Sequence, residues 1–287
     1  MQTRTIGNGT VGVVEVSAIG LGEMPLSLAD RPDRERALRT IAAALDAGVT
    51  LIDTADAYSA DDSDFGHGEA LVAEALGGRD DVLVATKGGH LRAADGSWPV
   101  DGSPDHLRRA CDASLQRLGV DAIGLYQHHR PDPKVPYEET IGALKELHDA
   151  GKIRMAGISN ANPDQIRTAH GILGDALVSV QNQFAPDFRS SEPEIAVAEE
   201  LGLAFLPWSP LGGIGQADRI AGIEEFAAVA EAHGISPQQA TLAWMLAKSP
   251  VIVPIPGSSR PETIIASAAA ADVTLSKDEV ARLDATG

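Results

Sequence analysis

The chain has 287 residues, 44% of them hydrophobic, and a formal charge of −18 at pH 7 from 41 acidic and 23 basic residues. This acidity argues against a nucleic acid or an anionic membrane as partner, and no apolar run approaches the roughly 20 residues of a membrane span. The single cysteine, Cys111, excludes an internal disulfide and a cysteine-based zinc cluster, so we expect a protein that holds no metal. The N-terminal residues show no signal-peptide pattern, and together these features predict a cytoplasmic protein.

The predicted elements begin with a hairpin in residues 4–16 that turns at Asn8-Gly9. Eight candidate buried strands follow, ending near Gly22, Asp53, Lys87, Gln127, Ser159, Gln181, Ser209 and Gly257. Helical stretches are predicted at Arg34–Ala47, Glu69–Leu76, Pro104–Leu118, Tyr137–Ala150, Pro163–His170, Glu192–Glu200 and Pro261–Ala270. Extra helices are expected within Ile220–Trp244, and the last helix spans Ser276–Ala285.

The alternation of strands and helices predicts the fold class. The strands are continuous apolar runs, as in a parallel sheet covered on both faces. Eight such units in about 250 residues predict an α/β fold, a single (β/α)8 TIM barrel with an N-terminal β-hairpin and extra helices near the C-terminus. Residues 1–287 then form one domain. An open doubly wound sheet competes, but no Gly-x-Gly-x-x-Gly joins a strand to a helix.

Three chemically active side chains stand at strand exits. Asp53 ends one strand, Tyr58 lies on the loop that follows it, and Lys87 ends the next strand. Side chains at the exits of parallel strands meet if the strands share one barrel mouth, and a carboxylate, a phenol and an amine together can transfer protons. The plainer alternatives are that Asp53 and Lys87 form a structural ion pair and that Tyr58 is a surface aromatic.

Over nearly its whole length the chain resembles an aldo-keto reductase. The matching motifs occur in the family's order: Gly20–Gly22, Asp53–Tyr58, Gly66–Glu69, Ala85–Lys87, Leu125–Pro133, Gly157–Asn160, Gln181–Asn182, Pro207–Leu211 and Ile255–Gly257. The resemblance implies reduction of aldehydes or ketones to alcohols by hydride from NADPH.

The resemblance also implies a catalytic tetrad of Asp53, Tyr58, Lys87 and a histidine. Tyr58 is the expected proton donor; since a phenol titrates near pH 10, we expect the Lys87 ammonium, held by Asp53, to lower the pKa of Tyr58. Aligned on residues 130–133, the family's histidine is His129, which is expected to orient the substrate oxygen. His128 is the alternative. Because side chains alternate in direction along a strand, we expect only one of the two histidines to face the site.

Cofactor positions follow from the same resemblance. Ser159, Asn160 and Gln181 match the nicotinamide carboxamide site, and Trp208 matches the aromatic that stacks on the nicotinamide ring. The remaining positions expected to contact NADP(H) are Gly22, Met24, Asp53, Ser209, Pro210, Leu211, Gly213, Gly257, Ser258, Ser259, Arg260 and Ser267. Arg260 at a helix start suits the 2′-phosphate of NADPH. The alternatives are a solvated Arg260 or NADH as cofactor.

Several positions depart from the family's pattern. Ala266 and Ser267 replace the acidic residue and asparagine often present for adenine, and Gly257 stands where some members have lysine. Glu23 is acidic where small polar residues are common.

The substrate is expected to be a small carbonyl compound bound by Met24, Tyr58, Trp98 and His129. Two other functions stay open: a regulatory or sensing module that binds nicotinamide cofactor with little turnover, and an aldolase-like barrel in which Lys87 forms a Schiff base. The sequence gives no indication of the oligomeric state.

Overall fold

The computed structural model describes residues 1–286. It begins with an antiparallel hairpin of two strands, β1 (Thr3–Asn8) and β2 (Gly12–Ser17), paired from Thr3 with Ser17 to Asn8 with Gly12. The turn comes where it was predicted but has three residues, because the Asn8 side chain accepts the N–H groups of Thr10 and Val11. Ile6 and Val16 are buried against the residues inside the barrel, so the hairpin covers the barrel's N-terminal end.

Seven parallel strands, paired in sequence order, form the curled sheet of the predicted barrel. They are β3 (Leu21–Gly22), β4 (Leu51–Asp53), β5 (Leu83–Gly88), β6 (Ile123–His128), β7 (Ile153–Ser159), β8 (Leu177–Gln181) and β9 (Ala204–Phe205).

Residues 252–257 close the barrel in the place of the predicted eighth strand. They make isolated bridges to Phe205 on one side and, through Gly257, to Gly22 on the other. A continuous ladder is prevented because Pro254 and Pro256 have no N–H to donate. Their carbonyls instead accept the N–H groups of Gly20 and Gly22, at 2.9 and 3.0 Å.

Helices cover the outside of the barrel, and the predicted ones lie within a few residues of the observed bounds. They are α1 (Arg34–Asp46), α2 (His67–Leu76), α3 (Pro104–Leu118), α4 (Tyr137–Asp149), α5 (Pro163–Leu173), α6 (Glu192–Leu201), α7 (Ala217–Ile220), α8 (Glu224–His233), α9 (Pro237–Lys248), α10 (Pro261–Ala269) and α11 (Lys277–Asp284). Ser103, Asn162 and Ser236 cap α3, α5 and α9 before a proline, as the cap and N1 preferences require. Within residues 1–286, no helix combines the length and apolarity that crossing a bilayer demands.

Apolar side chains fill two layers. Leu51, Ala85, Leu125 and Met155 pack inside the barrel, and a larger set lies between the barrel and the helices. Cys111 belongs to the outer set, where burial raises the pKa of its thiol to about 12, so it is a core residue and not a reactive thiol. Toward the C-terminal ends of the strands the inward side chains become polar, and this end of the barrel carries the candidate site.

Candidate active site

A cavity of about 820 Å³ opens at the C-terminal ends of the strands, within the range of small-molecule and cofactor sites. Most of the residues singled out from the sequence line it: Gly22, Met24, Asp53, Tyr58, Trp98, His129, Ser159, Asn160, Gln181, Trp208, Ser209, Pro210, Leu211, Gly213, Gly257, Ser258, Ser259 and Arg260. Two are not in its wall. Lys87 lies beneath the floor, and Ser267 is buried on helix α10.

Lys87 connects the Asp53 carboxylate and the Tyr58 phenol on the cavity floor. Its Nζ donates to Asp53 Oδ1 at 2.5 Å, to the Thr54 carbonyl at 2.8 Å and to the Tyr58 hydroxyl at 3.2 Å. The side chain of Lys87 is fully buried, so all three of its donors are used inside the protein. The strand exits therefore meet as the sequence predicted.

Two amides hold the other carboxylate oxygen. Gln127 Nε2 and Gln181 Nε2 donate to Asp53 Oδ2 at 3.1 and 2.7 Å. Gly157 on β7 leaves room for this arrangement, because a Cβ there would lie 2.8 Å from Gln127 Cγ. Gln127 was not singled out as a site residue; the available signal was a polar residue within the apolar run of β6. The Asp53 carboxylate is thus fixed by three donors.

The pKa of Tyr58 differs from the sequence-based expectation. Burial raises it to about 12, and the nearby Lys87 ammonium opposes this only in part. The expected lowering was wrong because it considered the cation and not the desolvation of the phenolate. Burial works to lower the pKa of Lys87, but Asp53 and Tyr58 more than offset it and the pKa of Lys87 is raised. The site therefore holds a neutral phenol beside a charged ammonium.

The two adjacent histidines face opposite sides of the sheet. His129 lines the cavity, and its ring lies edge-on to that of Tyr58 with centroids 5.7 Å apart. His128 points to the helix layer, where its ring centroid is 6.2 Å from that of Tyr137. Burial lowers the pKa of both imidazoles, to about 3 for His128 and well below the usual value for His129, where Lys87 adds to the effect. A neutral His129 can donate one hydrogen bond and accept another.

His90 joins the site without having been predicted. It follows β5 by two residues, and its ring packs edge-to-face on His129 at 4.4 Å and on Trp98 at 5.7 Å. Tyr58 contacts Trp98 at 6.3 Å and His129 at 5.7 Å, so four rings form a closed circuit beside the cavity floor. The only signal for His90 in the sequence was its position on a loop at the C-terminal face of the barrel.

The strand exits at β7 and β8 form a second polar cluster. Ser159 Oγ donates to the Gln181 carbonyl at 2.7 Å, and Asn160 Nδ2 donates to the His129 carbonyl at 2.9 Å. Asn160 (φ 57°) and Ser209 (φ 51°) are the only non-glycine residues with positive φ in the described part of the chain, and both line the cavity. Strained backbone of this kind collects at ligand sites.

The far end of the cavity combines a glycine loop with a helix start. Gly213 and Gly215 line the cavity and have positive φ, which allows a ligand to approach their N–H groups closely, whereas the Gly212 N–H is donated to the Ser209 carbonyl at 3.0 Å. Arg260 is the N-cap residue of α10, and Thr263 in the first turn also lines the cavity. Ser267, one turn further along α10, is buried in the helix packing and does not reach the cavity wall.

Comparisons with known proteins agree with this arrangement. Residues 18–287 match the sequence model of the Aldo/keto reductase family. A 6-dehydroglucose reductase of Novosphingobium aromaticivorans is 37% identical over 280 residues, covering 93% of this chain and 90% of the relative. A thermostable aldo-keto reductase crystallised with the inhibitor epalrestat superposes with a TM-score of 0.85 at 28% identity, over the whole of both chains. An aldo-keto reductase of Klebsiella pneumoniae in complex with NADPH gives a TM-score of 0.81 at 29% identity, covering 99% of this chain and 95% of that one.

Proposed function

The chain belongs to the aldo/keto reductase family, and on that premise we propose that it reduces aldehydes or ketones to alcohols with NADPH. The single observation that carries the proposal is the buried Asp53–Lys87–Tyr58 chain on the floor of the cavity, with Lys87 Nζ at 2.5 Å from Asp53 and 3.2 Å from Tyr58. A fixed ammonium next to a phenol at the bottom of a ligand-sized cavity is an arrangement suited to donating a proton.

The size of the cavity and the kinds of groups along it support a nicotinamide dinucleotide as the cofactor. Ser159, Asn160 and Gln181 provide hydroxyl and amide groups suited to a carboxamide, and Trp208 adds an aromatic side chain to the cavity wall. The glycine loop and the start of α10 with Arg260 suit phosphates. Asn160 and Ser209 both have positive φ and both line the cavity, as expected where a bound ligand requires a particular backbone conformation. NADPH held by these residues would supply the hydride for reduction of the carbonyl group.

The residues of the chain then handle the oxygen. We assign Tyr58 the donation of its phenolic proton to the carbonyl oxygen as the C–O double bond is reduced, so the products are an alcohol and NADP⁺. Lys87 stabilises the phenolate that remains, and Asp53, held by Gln127 and Gln181, keeps Lys87 charged and in place. Neutral His129 donates a hydrogen bond to the substrate oxygen, and the rings of His90 and Trp98 exclude water from this end of the cavity.

An aldolase-like role for Lys87 is not favoured. A Schiff base requires a neutral amine with its lone pair free, whereas Lys87 is fully buried, its pKa is raised, and its Nζ makes three hydrogen bonds.

The proposal is tested by tryptophan-fluorescence titration with NADPH and NADH, followed by an assay of NADPH oxidation with aldehydes and ketones. We expect saturable NADPH binding, weaker NADH binding, and carbonyl-dependent oxidation. Tight binding with no turnover over a broad panel would instead support a cofactor-binding regulatory module, and no binding of either nucleotide would contradict the proposal.

A further inference from the structure

Arg130 places an unpaired positive charge at the substrate end of the cavity. It directly follows His129, lines the cavity, and is exposed. Its only side-chain hydrogen bond goes to Asn160 Oδ1, at 3.1 Å, which occupies one of the five donors of the guanidinium. Among residues 1–286, no carboxylate lies within 4.0 Å of it. Most of its donors are therefore free in a protein whose net charge is −18.

The position of this charge relative to the reacting groups is defined by its neighbours. Burial is the largest cause of the lowered pKa of His90 and of His129. The Arg130 cation lies near both rings and lowers these pKa values further. The other unpaired cation of the cavity wall, Arg260, stands at the start of α10, at the opposite end. The cavity thus has one free guanidinium at each end, and only Arg130 lies beside the ring circuit of Tyr58, His90, Trp98 and His129.

We propose that Arg130 binds a carboxylate of the substrate, so that the preferred substrates are carbonyl compounds carrying a carboxylate and an apolar, ring-sized body. This rests on the proposed function and names its substrate class. The planar guanidinium fork matches a carboxylate with two parallel hydrogen bonds. The edge-to-face rings beside it provide an aromatic wall for the body of the substrate. The substrate carbonyl then points to Tyr58 and His129.

The test compares two aldehydes of the same shape, 4-carboxybenzaldehyde and neutral 4-nitrobenzaldehyde, in the wild type, Arg130→Gln and Arg130→Lys. The ratio of their kcat/KM values is taken within each variant, so intrinsic reactivity cancels between variants. We expect the carboxylate preference to fall about tenfold in Arg130→Gln, the usual size of one lost charge-assisted hydrogen bond. Arg130→Lys should retain part of it, and added salt should lower the ratio in the wild type and not in Arg130→Gln.

Two kinetic results would overturn the inference. The first is the same ratio in the wild type and Arg130→Gln. The second is an equal loss for both aldehydes together with weaker NADPH binding, which would mean that Arg130 serves the cofactor site through Asn160.

A binding measurement separates this inference from the proposed function. Benzoate affinity, followed by tryptophan fluorescence, should be weaker in Arg130→Gln than in the wild type whether or not the protein turns over. If neither aldehyde is reduced but benzoate discriminates, the reductase proposal fails and the carboxylate contact stands. Equal benzoate affinity in the two proteins would remove the contact even in an active reductase.

Discussion

The Lys87 ammonium lies 3.2 Å from the Tyr58 hydroxyl at a place where both side chains are buried. Burial alone raises the pKa of a phenol, and it does so here, to about 12. The ammonium counteracts that effect where a phenolate must form, and Asp53 in turn compensates the ammonium. The ionisation states of Asp53, Lys87 and Tyr58 therefore depend on one another, and removing one of these side chains should change the other two.

The first prediction concerns stability. Lys87→Met leaves the Asp53 carboxylate buried without its cation, and we expect the free energy of unfolding to fall by about 3 kcal/mol. Gln127 and Gln181 still donate to Asp53, which limits the loss. Urea unfolding measures it. The double variant Asp53→Asn/Lys87→Met should recover part of the lost stability, because no uncompensated charge is left; additive losses would contradict this account.

The two histidines are expected to respond differently to substitution. His129→Leu should lower kcat/KM on the order of 100-fold, since it removes an aligned donor to the substrate oxygen, while NADPH affinity stays close to that of the wild type. His128→Leu is the matched control: both ring nitrogens of His128 are buried without a partner, so an apolar side chain should be neutral or stabilising there. Greater damage to turnover from His128→Leu would contradict the assignment.

Arg260 should determine the preference between the two nicotinamide cofactors. Arg260→Gln is expected to weaken NADPH binding about tenfold, because a charge-assisted contact to the 2′-phosphate is lost. NADH, which lacks that phosphate, should bind as before. Fluorescence titration of both nucleotides measures this, with Arg154→Gln as a control, since Arg154 is exposed on β7 outside the cavity wall. Equal weakening of both cofactors would argue against a phosphate contact.

Glu23 should make stability depend on pH. This carboxyl is fully buried, accepts hydrogen bonds from Ser27 and Thr54, and faces the charges of Lys87 and Asp53; Ser27 in turn meets His67 Nδ1 at 2.8 Å. Burial raises the pKa of Glu23 to about 7 from its usual 4.5. The folded state then holds a proton that the unfolded state has released, so stability is present at low pH and is lost as pH rises from 4.5 to 7.

The corresponding variant is Glu23→Gln, which keeps the shape and removes the titration. We expect the difference in unfolding free energy between variant and wild type to shift in favour of the variant between pH 5 and pH 8, by up to about 3 kcal/mol. Urea unfolding at the two pH values measures it. A difference that does not change with pH would show that Glu23 does not titrate in this window.

The sequence predicted the elements of the fold because their signals are local. Caps such as Ser103-Pro104 and Asn162-Pro163 define helix starts, and apolar runs define the strands. The last strand was predicted to end near Gly257, but Pro254 and Pro256 prevent a continuous ladder, and this segment makes only isolated bridges. The assignment of residues 1–287 to one domain stays a prediction.

The site was predictable to the extent that it depends on strand exits. Asp53, Tyr58 and Lys87 meet there, as expected from their places in the chain. The direction of the Tyr58 pKa shift was not predictable, since it depends on how completely the folded barrel removes water from the phenol. Gln127 and His90 were missed because each acts through contacts with residues distant in sequence.

The most direct test of the central claim is single-turnover reduction of 4-nitrobenzaldehyde by Tyr58→Phe saturated with NADPH. The phenyl ring retains the packing on Trp98 and His129 and lacks only the hydroxyl next to Lys87. If Tyr58 donates the proton, the rate should fall by at least about 100-fold while the Kd for NADPH stays within about threefold of the wild-type value. Reduction at the wild-type rate by Tyr58→Phe would contradict the account.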